Sequence, residues 1–168
     1  ETVIHELVHA TVFAPDQAQF NEGIATFVGQ EAAVRFFRAL SRDAGEAVRR
    51  RVADSRAIAR ALLELRERVA ELYAETPADA DPTAARNALE AAARASLARL
   101  PLETLDAPSF ASDAQLGDAC LSLTGTYTAD LPAYGARLDA LGGDLAALVA
   151  EAVAASEADD PRAALTAR

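Results

Sequence analysis

Between positions 58 and 72 the apolar residues Ile58, Leu62, Leu65, Val69 and Leu72 recur at spacings of four, three, four and three. An α-helix, turning once in about 3.6 residues, brings such a series onto one face, and that face is suited to packing on another helix. The stripe lies in a run from 46 to 75 that holds neither Pro nor Gly, so one long helix is expected there. Abundant alanine, and a basic complement made entirely of arginine with no lysine, favour helix elsewhere too. Further helices are expected at about 2–13, 17–40, 83–100, 113–125, 131–141 and 144–157. Ala14-Pro15-Asp16 breaks the first from the second, with Asp16 as a candidate N-cap. Residues 41–45 read as a turn, 76–82 as a Pro/Ala/Asp linker, 101–112 as irregular around Pro101 and Pro108, and Gly142-Gly143 as a break. Pro161 marks a flexible tail over 159–168. No segment reads as a strand and no repeat is visible. The expected fold class is all-α, a helical bundle forming a single domain over 1–158, a length that suits one core.

The formal net charge is −10, which argues against a nucleic-acid partner, because phosphate binding needs clustered positive charge. Arg49, Arg50 and Arg51 form the one tight basic run and read as a solvated helix face. Cys120 stands alone, so neither an intrachain disulfide nor a CxxC metal site is available. No apolar run reaches the ~18 residues of a membrane span. The chain opens at Glu1, four residues before the motif described next. It therefore reads as a fragment or a processed chain, with any signal or lipid anchor, and with it a cell-envelope or periplasmic address, lying upstream.

His5-Glu6-Leu7-Val8-His9 is an HExxH pattern and contains both histidines of the chain. On a helix, positions i and i+4 sit about 40° apart. The two imidazoles can therefore reach one zinc at ~2.0–2.1 Å. Glu6 lies about 100° round from His5: offset enough to miss the metal, near enough to touch water bound to it and act as general base. The flanking Val3, Ile4, Leu7, Val8 and Val12 imply a buried helix, in which two His and a Glu need a partner. A catalytic zinc takes three protein ligands and keeps one position open. With no third histidine, the third ligand is a carboxylate or, less readily, Cys120. Glu22, in Phe20-Asn21-Glu22-Gly23-Ile24-Ala25, is the best placed. It follows His9 by 13 residues, past the Pro15 break, where a helical reversal can return it to the metal. Asp16 is too near the turn and Glu31 more than two helical turns further on. Asn21 and Thr26 flank Glu22, either as groups that position the ligands or as plain helix residues.

The segments VIHELVHATVF and FNEGIATFVGQE resemble the putative aminopeptidase family of bacteria, whose HExxH and following NExxA-type segment make it gluzincin-like. Residues 117–134, GDACLSLTGTYTADLPAY, are similar to that family's NNARL…TY…PAF segment, and Gly142-Gly143-Asp144 to its GGD. The resemblance covers most of the chain and is most specific over 1–31. It implies zinc on His5, His9 and Glu22, Glu6 as the base, and Tyr127 as an active-site hydroxyl able to hydrogen-bond an oxyanion. It also implies a peptide substrate, cleaved in the manner of an aminopeptidase, and an α+β whole in which a sheet precedes the HExxH helix. Two positions depart from the pattern: the paired Asn is Gly117-Asp118 and the Arg is Cys120. The competing reading is a non-catalytic helical domain that binds metal structurally or serves an interaction.

Overall fold

The computed structural model describes residues 1–167 and is built of helices, with no strand among the described residues. The elements are α1 (Thr2–His9), α2 (Ala18–Leu40), α3 (Arg42–Glu75), α4 (Thr83–Leu97), α5 (Ala107–Asp113), α6 (Asp118–Thr128), α7 (Leu131–Ala140), α8 (Leu145–Ala155) and α9 (Pro161–Thr166). They gather into two compact units. One joins Glu1–Arg49 to the stretch beginning at Thr126; the other is Arg50–Gly125.

In the first unit α2 is the central element, packed by α1, α7 and α8, with α9 against α7 and α8. Phe20, Ile24 and Phe27 of α2 meet Val8, Val12, Leu131, Tyr134, Leu138, Leu148 and Leu165 in one core. α1 stops at His9, earlier than its apolar residues suggest. The chain then turns through Ala10 and Thr11 and buries Val12 completely. Contrary to expectation, α1 is not a buried helix: Val3 and Leu7 are 73% and 62% exposed, and Val8 alone within it is buried. Its apolar residues exceed what one packing face can cover.

Pro161 does not open a flexible tail. It occupies the first turn of α9, where proline's fixed φ and missing N–H suit a helix start. The Asp160 carboxylate caps that turn by accepting from the Ala163 N–H at 3.0 Å. Leu165 is fully buried, and Arg162 pairs with both oxygens of Asp130 at 2.7 Å. The turn expected at 41–45 shrinks to Ser41, whose hydroxyl accepts from the Ala44 N–H at 3.1 Å. Gly45 is then helical because α3 starts against α2: a Cβ there would lie 2.6 Å from the Arg38 Cα.

In the second unit the 4-3-4-3 stripe packs as expected, with Leu65 and Val69 joined by Leu97, Ala111, Leu116 and Leu121. The segment 101–112 holds a helix that its prolines conceal. Pro108 sits in the first turn of α5, and Asp106 caps it by accepting from the Ser109 N–H at 2.9 Å. The Arg94 guanidinium donates to the carbonyls of Ala111, Ser112 and Ala114, serving the acceptors that a helix C-terminus leaves unpaired. α6 consequently begins at Asp118 rather than at 113.

Candidate metal centre

The site is the hairpin of α1 and α2, and the hairpin is closed by one side chain. Asn21, 6% exposed, accepts from the Ala14 N–H through Oδ1 at 2.9 Å and donates through Nδ2 to the Ala14 carbonyl at 2.8 Å. Both backbone groups of the residue between the two helices are thereby satisfied without water. Asn21 thus acts on the turn itself. The turn leaves Asp16 in the left-handed region, at φ 61°, a conformation Asp tolerates better than most residues. Gln17, not Asp16, is the N-cap of α2.

The closed hairpin sets three side chains around one point. His5 Nε2 lies 3.2 Å from Glu22 Oε2, His9 Nε2 lies 3.5 Å from the same oxygen, and the two ring nitrogens are 3.1 Å apart. Candidate ligand atoms of all three lie within 4.8 Å of one another. A tetrahedral divalent cation holding donors at ~2.0–2.1 Å spaces them about 3.3–3.4 Å apart, and the three measured edges straddle that value. Two nitrogens and a carboxylate oxygen are a donor set such cations favour, so these residues fit a metal ion. Their side chains are 17%, 24% and 27% exposed, leaving the point open to solvent.

Glu6 is exposed on α1 and lies outside the trio. Tyr127, near the end of α6, lays its ring almost parallel to that of His5, at 20° with centroids 6.3 Å apart. Partial burial and the carboxylates of Glu22 and Glu6 raise its phenol above the ordinary tyrosine range. Glu6, Glu22, His5 and Tyr127 therefore share one neighbourhood. Thr26 is half-buried on α2. Asp16, Glu31 and Cys120 do not join the ligand group. Cys120 is exposed, and Asp118 is tied to its own unit by Arg86 at 3.1 Å and the Tyr73 hydroxyl at 2.8 Å.

An open cleft of about 370 Å³ adjoins the trio. His9 and Glu22 line it together with Phe13, Asp16, Gln17 and neighbouring residues of the turn. Inspection for metal ligands alone passes over Phe13 and Gln17, and the local signal for the cleft is the Pro15-Asp16 turn.

Compared with known proteins, the chain matches over residues 1–165 the family described as putative aminopeptidase. No curated protein and no solved structure matches it. Over nearly its whole length, HExxH hairpin included, this chain belongs to the putative aminopeptidase family.

Proposed function

We propose that the protein is a zinc-dependent peptidase of the aminopeptidase type, with His5, His9 and Glu22 as metal ligands, Glu6 as general base and Tyr127 as an oxyanion donor. The observation that carries the reading is the convergence of the two Nε2 atoms and the Glu22 carboxylate at edges of 3.1, 3.2 and 3.5 Å. Zinc held by such a set supplies Lewis acidity, polarising the scissile carbonyl and lowering the pKa of water toward ~7.

The rest is chemistry of the chain's own residues. Glu6 follows a ligand directly, so its carboxylate takes the proton of the attacking water and returns it to the departing amine. The Tyr127 phenol, protonated at neutral pH, donates to the oxygen on which negative charge develops. Glu22 supplies negative charge that offsets part of the cation's, and its α2 backbone is held by the Asn21 clamp two helical neighbours away from free rotation. Two features favour catalysis over a structural metal: solvent reaches the ligand atoms, and no fourth His, Cys, Asp or Glu joins them among the described residues.

Metal content by mass spectrometry and peptide hydrolysis followed by chromatography test the proposal together. The protein is expected to retain one zinc and to release amino acids from peptides. Glu6→Gln keeps the zinc and lowers kcat by about 10²–10⁴-fold; equal turnover of the two proteins removes Glu6 as the base. Glu22→Ala weakens zinc retention by more than the ~10–100-fold that loss of an outer partner costs. Unchanged zinc content after dialysis ends its ligand role.

A further inference from the structure

The cleft beside the ligands has a charge character that selects one end of a peptide. His9 and Glu22 belong to its lining, and the remainder comes from the α1–α2 turn and the start of α2, where Phe13, Asp16 and Gln17 contribute. None of the residues lining it is Arg, so nothing there would hold a C-terminal carboxylate. Phe13 is 63% exposed and offers apolar surface to a substrate side chain. The Asp16 carboxylate makes no hydrogen bond or ion pair among the described residues. Most surface acids are free in this way; this one lines the same cleft as two of the ligand residues.

The chemistry of a peptide's first residue matches that lining. Its α-amino group, with a pKa near 7.7–8.0, is largely cationic at neutral pH and is separated from the scissile carbonyl carbon by a single Cα. A carboxylate in a cleft shared with the metal ligands is therefore in the region where that cation must lie once the carbonyl reaches the metal. The first side chain branches from the same Cα and needs apolar surface nearby. A volume of about 370 Å³ stands at the small end of ligand pockets and suits one terminal residue better than a long segment of chain.

Building on the peptidase reading, we infer that Asp16 binds the α-ammonium group of the substrate's first residue while Phe13 receives its side chain, so that the cleft selects peptides with a free amino end and an apolar first residue. Asp16 is here a specificity residue that touches substrate and takes no part in bond cleavage.

The test is calorimetric binding to the zinc-loaded Glu6→Gln protein, which holds peptide without consuming it. Leu-Gly-Gly is compared with its N-acetylated counterpart. The free amine is expected to bind roughly 10–100-fold more tightly, the range of one charge-assisted hydrogen bond. Asp16→Asn brings the ratio to within about twofold, with zinc content and affinity for the acetylated peptide unchanged. Asn accepts the positive φ at this position, and Asp16→Gly, which accepts it more readily, must give the same result. Equal affinity of the parent for the two peptides, binding of neither, or a preference that survives both Asp16 variants overturns the assignment. These outcomes are separable from failure of the peptidase reading, which shows as absent zinc or absent hydrolysis in the unsubstituted protein.

Discussion

Asn21 carries more of the site than its position beside Glu22 suggests. It could be read from the sequence as a partner for a ligand, yet both ends of its amide are spent on Ala14. An amide alone can accept from an N–H and donate to a C=O at once, so neither Asp nor Leu can replace it. Asn21→Ala leaves a buried N–H and a buried C=O unpaired and is expected to cost about 2–4 kcal/mol, measured by urea denaturation. Because the clamp sets the angle at which α2 returns, the same variant should weaken zinc binding although it removes no ligand. Asn21→Asp keeps the acceptor and loses the donor, and should fall between the two. Unaltered stability in Asn21→Ala would remove the clamp.

At the scale of elements, a polar side chain does for the second unit what Asn21 does for the first. Asp54, on α3 and 3% exposed, accepts from the backbone N–H groups of Glu103 and Thr104 and from the Thr104 hydroxyl at 2.7–3.1 Å. Those bonds, the Thr104 hydroxyl first, hold its carboxyl below the ordinary range against the opposing effect of burial. A carboxyl whose pKa is lower folded than unfolded stabilises the fold above the unfolded value, and that stabilisation fades as pH falls through the folded one. Stability should therefore drop as the solution is acidified below about pH 4, and Asp54→Asn should flatten that part of the curve. Parallel acid limbs for the two proteins, followed by circular dichroism, would show that Asp54 is not responsible. The short helices α5 and α9 belong to this scale as well. Each starts with an Asp cap and a Pro in the first turn, and each lies where the prolines suggest irregular chain. A proline signals a helix start as readily as a break, and what separates the two is burial downstream, at Ala111 and Leu165.

For the molecule as a whole, a cation bridging α1 and α2 couples metal to folding. α1 has eight residues, too few to be stable alone in water, and its exposed Val3 and Leu7 contribute little burial. A ligand that binds the folded state stabilises it by about 2.7 kcal/mol at a free concentration 100 times its Kd. Chelation should accordingly lower the thermal midpoint, and added zinc should restore it. A melting curve indifferent to chelator would mean that the hairpin stands without metal.

Periodicity and local spacing were enough to establish that this chain is all-α, where its long helices run, and that His5 and His9 share one face, since each depends on residues within one or two helical turns. The same locality hid α5, α9 and the early end of α1, whose existence depends on partners distant in sequence. Glu22 was legible as a candidate because acids are few within reach of the break at Pro15. That its carboxylate meets both rings was decided by the tertiary structure, since a reversal over 13 residues has no fixed angle until the Asn21 clamp and the Val12–Phe20–Ile24 core select one. The cleft beside the ligands arises in the same way: a turn's shape depends on what holds it shut, and here a side chain seven residues further on does so.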